Sequence, residues 1–185
     1  MLNRFMNRLA IFGLATFLSG CMSLKIGFSA NDLKHTAQYD LAAPFYANLV
    51  VEYGPSTVSG VGPMMVGNPR GPFAEENQKE FFFALRRELT LRKLVSVEDS
   101  SHKSSIGPKV IVRFDRTKMS GTAHHIELWA TVLLTDGSRQ QTKALFAESS
   151  RSRLNLNSRD GNAVEAAQLL LDQIIPLVAD FARSR

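Results

Sequence analysis

The clearest pattern in the chain is the alternation of apolar residues with their neighbours over residues 123–135. Because successive side chains of a strand point to opposite faces, this alternation predicts a strand with one buried face. Asp136-Gly137 follows at once, and this dipeptide predicts a two-residue hairpin with a type I′ turn. Residues 138–149 are then expected to return beside the first strand. The alternate apolar positions are Ile126, Leu128, Ala130, Val132 and Leu134.

Two other segments have the period of helices. Residues 73–93 carry apolar side chains three and four positions apart, which predicts an amphipathic helix. The C-terminal segment carries a wider apolar stripe, with Asn162 and Glu165 predicting its N-terminal cap and Pro176 predicting a bend. The stripe comprises Val164, Ala167, Leu171, Ile174, Val178 and Phe181.

Three shorter runs, 45–53, 94–98 and 109–119, predict further strands. Gly54 to Pro72 contains five glycines and four prolines, a density that predicts a long loop without a regular element. The order of elements predicts an α+β domain, with a single antiparallel or mixed sheet of about five strands and two helices packed on one face. Trp129 then belongs to the opposite face.

The N-terminus has a different character from the rest of the chain. Arg4 and Arg8 precede an apolar run, Leu9 to Leu18, which is shorter than the roughly 20 residues that a membrane span needs. Small residues then lead to Cys21, the one cysteine of the 185 residues. This arrangement predicts a cleaved export signal, and a lone cysteine excludes a disulfide within the monomer.

The tetrapeptide Leu18-Ser19-Gly20-Cys21 resembles the lipobox of bacterial lipoproteins. The resemblance implies that residues 1–20 are a lipoprotein signal peptide and that Cys21 is acylated, so that membrane lipid is a partner. Met22 stands where an Asp would imply retention in the inner membrane, so the family's sorting rule implies the outer membrane, facing the periplasm. A plain secretory signal with a chance cysteine is the alternative.

We expect residues 21–43 to be a lipidated tether and residues 44–185 to be a single periplasmic domain. Removing residues 1–20 takes away two arginines and no acidic residue, so the net charge falls from +5 to +3. That balance is ordinary, and no basic block interleaved with aromatic residues is present. Nucleic acid is therefore not an expected partner.

A search for catalytic chemistry finds no motif. His124 and His125 are adjacent, so on a strand they point to opposite faces and do not chelate one ion together. Gly62 to Gly67 has the glycine spacing of a phosphate loop, but Asn68-Pro69 follows where Lys-Ser/Thr is required. Glu127 is expected to be an exposed strand residue. We therefore expect no metal, no cofactor and no enzymatic activity.

The best functional hypothesis is a non-enzymatic accessory or docking subunit of an envelope transport or assembly complex. In size and element order the chain is similar to the lipopolysaccharide-assembly lipoprotein and to the auxiliary lipoproteins of ABC-type lipid transporters. The expected contacts are the loop tip Met64-Met65-Val66 and the sheet face around Trp129.

Three alternatives stay open: an envelope hydrolase, a lipoprotein that binds an amphiphile and a purely structural lipoprotein. The hydrolase requires at least two of five groups to converge with polar donors in a pocket. They are Asp115, His124, His125, Glu127 and Asp136.

Overall fold

The computed structural model of the chain describes residues 28–59, 75–96, 107–120, 125–150 and 159–184. Within these ranges the chain forms five strands in one mixed sheet and two α-helices, which confirms the predicted α+β class. The elements are β1 (Asn48–Glu52), β2 (Ser56–Ser59), α1 (Glu75–Leu91), β3 (Lys109–Ser120), β4 (Ile126–Thr135), β5 (Gln140–Glu148) and α2 (Arg159–Arg183).

The long strands β3, β4 and β5 form an antiparallel meander with β4 in the middle. β1 and β2 both pair in parallel with β3, so they share one edge of the sheet. β1 runs beside residues 109–113 and β2 beside residues 117–120. β2 lies within the segment predicted to hold no regular element, so that prediction is wrong over residues 56–59.

Gly54 explains why this edge is divided into two strands. A Cβ on Gly54 would lie 1.8 Å from the carbonyl oxygen of Phe114, so only glycine fits against β3 here. The buried Gln78 of α1 accepts from the Gly54 N–H and donates to its carbonyl, both at 2.9 Å. Pro55 then accepts from the Thr117 N–H at 3.0 Å, which returns the chain to the sheet for β2.

Both helices cover the same face of the sheet, which we call the covered face. It is formed by the alternate apolar residues of β3 and β4, together with Leu145 and Ala147 of β5. In β4 the five predicted positions are all fully buried. Phe81 of α1 packs edge-on against Phe114 with ring centroids 5.3 Å apart, and α2 packs on β4 and β5.

The described part of the expected tether does not act as a free spacer. Phe28 and Leu33 are buried in the core, and a 3-10 turn, Ala30–Asp32, packs on α1. His35 contacts Asp172 of α2, with its Nδ1 2.6 Å from the carboxylate. The spacer prediction is therefore wrong for residues 28–43, which are part of the domain, while residues 21–27 lie outside the described residues.

Two arginines of the helical layer hold this N-terminal segment. Arg92 donates to the carbonyls of His35 and Ala37, and Arg87 donates to that of Leu33. Between the two guanidiniums lies the Glu88 carboxylate, 2.8 Å from Arg87 and 2.9 Å from Arg92. An unpaired buried charge is costly, so this pairing lets the carboxylate stay ionised in the interior.

Burial raises the pKa of the Glu88 carboxyl, but the hydrogen bonds from Arg87 and Arg92 outweigh it and hold the pKa below its usual range. The side chains of Arg92 and Glu88 are only 3% and 5% exposed. The buried polar contacts between the helices and the N-terminal segment therefore depend on the ion pairs that Glu88 forms with Arg87 and Arg92.

Several predicted boundaries also change. The C-terminal helix begins at Arg159, so Asn162 lies inside α2 instead of capping it. Pro176 lies inside α2, and the bend expected there stays a prediction. In place of the strand over residues 94–98, the described residues show one isolated bridge, Ala47 to Val95. Among the described residues, neither helix is long and apolar enough to cross a bilayer.

Candidate docking face

The face of the sheet opposite the helices, which we call the open face, carries the other alternate residues of the meander. In β4 these residues are half-buried where their neighbours are fully buried. The described N-terminal residues contact the helices, as shown above, so they do not cover this face. The open face includes Arg116 and Lys118 of β3, Glu127, Trp129, Thr131 and Leu133 of β4, and Ala144, Phe146 and Glu148 of β5.

An aromatic pair lies at the centre of the open face. Trp129 and Phe146 are direct cross-strand partners, with ring centroids 5.0 Å apart and an angle of 40° between the planes. The Arg116 guanidinium lies over the Trp129 ring at 5.1 Å, a cation–π contact. Phe146 nevertheless stays 41% exposed. Trp129 is thus half-buried on the open face, and Phe146 is the more exposed of the two rings.

Ion pairs flank the aromatic pair. Arg113 donates to Asp115 at 2.9 Å, and Thr131 donates to the other oxygen of the same carboxylate at 2.6 Å. Both charged side chains of this pair are well hydrated, at 54% and 33% exposure, so the pair contributes little to stability. The β-bulge between Phe114 and Arg116 leaves Asp115 without a partner residue on β4 and brings Arg116 opposite Trp129 on this face.

A second cluster lies at the end of the open face where β4 begins. This cluster consists of His125, Glu127 and Glu148. Glu127 follows His125 by two residues and so shares its face, and Glu148 is the cross-strand partner of Glu127 on β5. The Nε2 atom of His125 lies 3.5 Å from Glu127 Oε1 and 3.3 Å from Glu148 Oε2. The His125 side chain is only 6% exposed, and its Nε2 has no hydrogen-bond partner.

The other atoms around this cluster orient it. His125 Nδ1 lies 3.4 Å from the Ser149 hydroxyl, which also accepts from the Ile126 N–H at 3.0 Å. Lys118 lies 3.8 Å from Glu127 Oε2, the oxygen that faces away from the histidine. Glu127 was expected to be exposed, but its side chain is only 17% exposed, so that expectation is wrong.

The remaining groups named for a hydrolase do not join this cluster. Asp115 is bound to Arg113 and Thr131 as described above. Asp136 lies in the β4–β5 turn, where hydrogen bonds from the Arg139 guanidinium and from the Arg139 and Ser138 N–H groups hold the pKa of its carboxyl well below its usual range. Thus only His125 and Glu127 of the named groups converge among the described residues.

Four predicted site residues, together with His124, lie outside the described residues. They are Cys21, Met64, Met65 and Val66.

Glu148 is the member of the cluster that sequence reasoning missed. A His-x-Glu spacing on a strand already puts His125 and Glu127 on one face. Glu148 joins them only in the register that pairs it with Glu127. The hairpin turn decides that register, and a correct placement of the turn would have been the signal.

Comparison with known proteins gives only distant structural similarity. No family model matches the chain, and no curated protein matches it. A hypothetical protein from Chlamydia trachomatis is 12% identical over 75% of this chain and 99% of its own, with a TM-score of 0.44. A Xanthomonas campestris protein of the family DUF330 is 11% identical over 80% of this chain and 94% of its own, also with a TM-score of 0.44. These neighbours are uncharacterised, so the likeness assigns no function.

Proposed function

We propose that the chain is a lipid-anchored lipoprotein of the outer membrane, facing the periplasm, and a non-enzymatic accessory subunit of an envelope transport or assembly complex. In this proposal the open face docks on the protein partner. The observation that carries the docking role is the Trp129–Phe146 pair, which lies beside Arg116 and stays accessible on the side of the sheet that the helices leave free.

The residue types on this face support a protein partner. Trp, Phe and Arg are enriched in protein interfaces, where aromatic side chains supply rigid apolar area and Arg supplies hydrogen bonds. The antiparallel meander presents these side chains side by side on one surface. Such a surface suits another protein surface better than a small ligand, which is usually held in a concave pocket.

Arg116 indicates the chemistry of the partner. Arg113 and Lys118 each have a carboxylate neighbour on the open face, at 2.9 and 3.8 Å. For Arg116 the contact seen among the described residues is the Trp129 ring. We therefore propose a partner surface in which a carboxylate lies beside an apolar side chain, so that it accepts from Arg116 while the apolar group covers the aromatic pair.

The proposed anchor restricts where this docking takes place. Phe28 is buried in the domain, and seven residue steps separate it from Cys21. A fully extended chain of that length spans at most about 25 Å. If Cys21 is acylated, the domain stays close to the membrane, and the partner must present its docking surface at that height.

Site-specific photocrosslinking tests the docking proposal. A photoreactive phenylalanine analogue replaces Phe146 in the full-length chain, expressed in its native envelope, and in a matched chain it replaces Phe83, which is 62% exposed on α1. We expect a defined envelope protein to be crosslinked from position 146 and not from position 83. The crosslinked peptide should contain an Asp or Glu.

Charge reversal makes the test specific. Arg116→Glu should abolish the crosslink, and a Lys at the partner's acidic position should restore it. Adducts with lipid alone from position 146 would indicate amphiphile binding instead, and equal crosslinking from positions 83 and 146 would refute the docking face.

Two further variants separate the anchor and the loop from the face. Cys21→Ala should release the protein from the membrane fraction while leaving the isolated interaction intact. Replacing Met64 and Met65 with Ser should weaken capture of the same partner without unfolding the domain. Unchanged capture would remove the loop tip from the proposal and leave the open face in place.

A further inference from the structure

The cluster of His125, Glu127 and Glu148 has a property that a simple ion pair does not explain. His125 Nε2 is buried and without a hydrogen-bond partner, although two carboxylate oxygens lie 3.3 and 3.5 Å away. A proton on Nε2 would be expected to form a straight, short bond to one of these oxygens, because charge-assisted hydrogen bonds are about 2.7–2.9 Å long. Neither contact has that geometry.

The ring environment is compatible with a lone pair on Nε2. When Nδ1 carries the proton, it donates towards the Ser149 hydroxyl, 3.4 Å away, and Nε2 is left as an acceptor. Three electron-pair donors then face one another, since the carboxylate oxygens are also acceptors. They all lie within 4.8 Å of one another, an arrangement that a cation between them would stabilise.

We infer that His125, Glu127 and Glu148 form a binding site for a divalent transition-metal ion of the Zn²⁺ type. Zinc binds imidazole nitrogen and carboxylate oxygen at about 2.0–2.2 Å, so ligand atoms in a tetrahedral shell are about 3.3–3.5 Å apart. The distances from Nε2 to the two oxygens match that separation. An imidazole among the ligands favours zinc, copper or nickel over calcium and magnesium.

The surroundings supply the support that metal ligands usually have. Ser149 orients the histidine ring, and Lys118 attracts the distal oxygen of Glu127, so its near oxygen is directed at the histidine. The ion would join the neighbouring strands β4 and β5 at one end of the open face.

The test is a titration of the full-length chain in detergent with ZnCl₂, in competition with a chromophoric chelator. Every protein in the series carries Cys21→Ala, which removes the thiol as a competing ligand. We expect the parent chain to withhold one equivalent of Zn²⁺ from the chelator. His125→Ala and Glu148→Gln should each lower the affinity at least about tenfold.

His124→Ala and Asp115→Asn are the matched controls. His124→Ala removes the adjacent imidazole, which strand alternation predicts on the opposite face. Asp115→Asn removes an open-face carboxylate that is bound to Arg113 and Thr131. Both variants should leave the affinity unchanged. Glu148→Gln keeps the shape of the side chain, and the melting temperature without metal checks that each variant is folded. X-ray absorption should show one imidazole and carboxylate oxygens around the zinc.

The absence of stoichiometric binding, or an equal loss of affinity in the His124 and His125 variants, would overturn the inference. So would nitrogen chemical shifts that show His125 protonated on both ring nitrogens in the presence of zinc. The outcome is independent of the docking proposal, because the crosslinking test reports on Phe146 and Arg116.

Discussion

The two faces of the sheet are made by the same strands, yet they have opposite environments. Leu133 and Leu134 are neighbours in β4, but Leu134 is fully buried under the helices and Leu133 is half-buried on the open face. The amino acid is the same in both places. The helices pack over Leu134 but not over Leu133, so the environment of a strand residue depends on which face the helices cover.

Charged residues show the same contrast. On the helical side the Glu88–Arg92 pair is almost completely buried, whereas the Arg113–Asp115 pair of the open face is largely hydrated. The buried pair holds the N-terminal segment in place, because Arg92 also donates to the carbonyls of His35 and Ala37. The hydrated pair lies within β3, and its contact with another element is the hydrogen bond from Thr131 of the neighbouring strand β4.

The largest effect is expected when the buried charge centre is broken. Glu88→Ala leaves the buried Arg92 guanidinium without its carboxylate and should lower the free energy of unfolding by about 3–5 kcal/mol. Asp115→Ala on the open face should cost less than about 1 kcal/mol. Urea denaturation of the two variants measures the difference, and equal costs would contradict the contrast between the faces.

The same pair predicts a pH dependence. The pKa of Glu88 is lower in the folded chain than its ordinary value of 4.5. Its contribution to stability is therefore present above about pH 4.5 and is lost as the pH falls towards the folded pKa. Between pH 7 and pH 3 the wild type should lose more stability than Glu88→Gln, and parallel curves would refute the role of the pair.

The adjacent leucines give the most direct comparison of apolar burial. Leu134→Ala leaves a cavity under the helices and should cost about 3 kcal/mol. Leu133→Ala removes a half-buried side chain and should cost about 1 kcal/mol or less. Both variants replace a leucine by alanine at adjacent positions, so the difference between their free energies of unfolding, measured by thermal or urea unfolding, reports only the difference between the two faces.

A smaller effect is expected at the turn that sets the register of both faces. Gly137 has a φ of +90° and open space around its Cα, so Gly137→Ala meets no neighbour but adopts an unfavourable backbone conformation. We expect a cost of about 1–2 kcal/mol. Ser138→Ala is the control at the next position, and an equal or greater loss there would show that side-chain contacts control the turn.

The smallest effect on stability is expected from the aromatic pair of the open face. Phe146→Ala should lower the free energy of unfolding by about 1 kcal/mol or less, although it should strongly reduce partner capture. A double-mutant cycle with Trp129→Ala should give a coupling of about 0.5–1 kcal/mol. A much larger coupling would mean that the pair is part of the core.

Much of this architecture could be predicted because it depends on local periodicity. The alternation in β4 predicted its buried residues, and the spacing of Phe81, Ala84, Leu85 and Leu89 predicted the buried side of α1. The docked N-terminal segment could not be predicted in this way. Residues 31–39 are polar and without a period, and they are held by arginines more than fifty positions away.

At the β4–β5 turn the sequence predicted the hairpin but not its exact register. Asp136-Gly137 predicted a hairpin at this place, but the Asp136 carboxylate accepts from Ser138 and Arg139, and Gly137 and Ser138 are the central residues. With the turn one position earlier, Trp129 would face Ala144. In the observed register Trp129 faces Phe146.

In β4 and β5 the sequence by itself determined which residues share a face, because the two-residue period of a strand is unchanged when the hairpin pairing moves by two. Only the tertiary structure decided which residues meet across the strands and which face stays open. Cross-strand partners depend on the turn, and coverage depends on helices that are distant in the chain. The aromatic pair and the histidine–glutamate cluster both depend on these cross-strand pairings, which the tertiary structure decides.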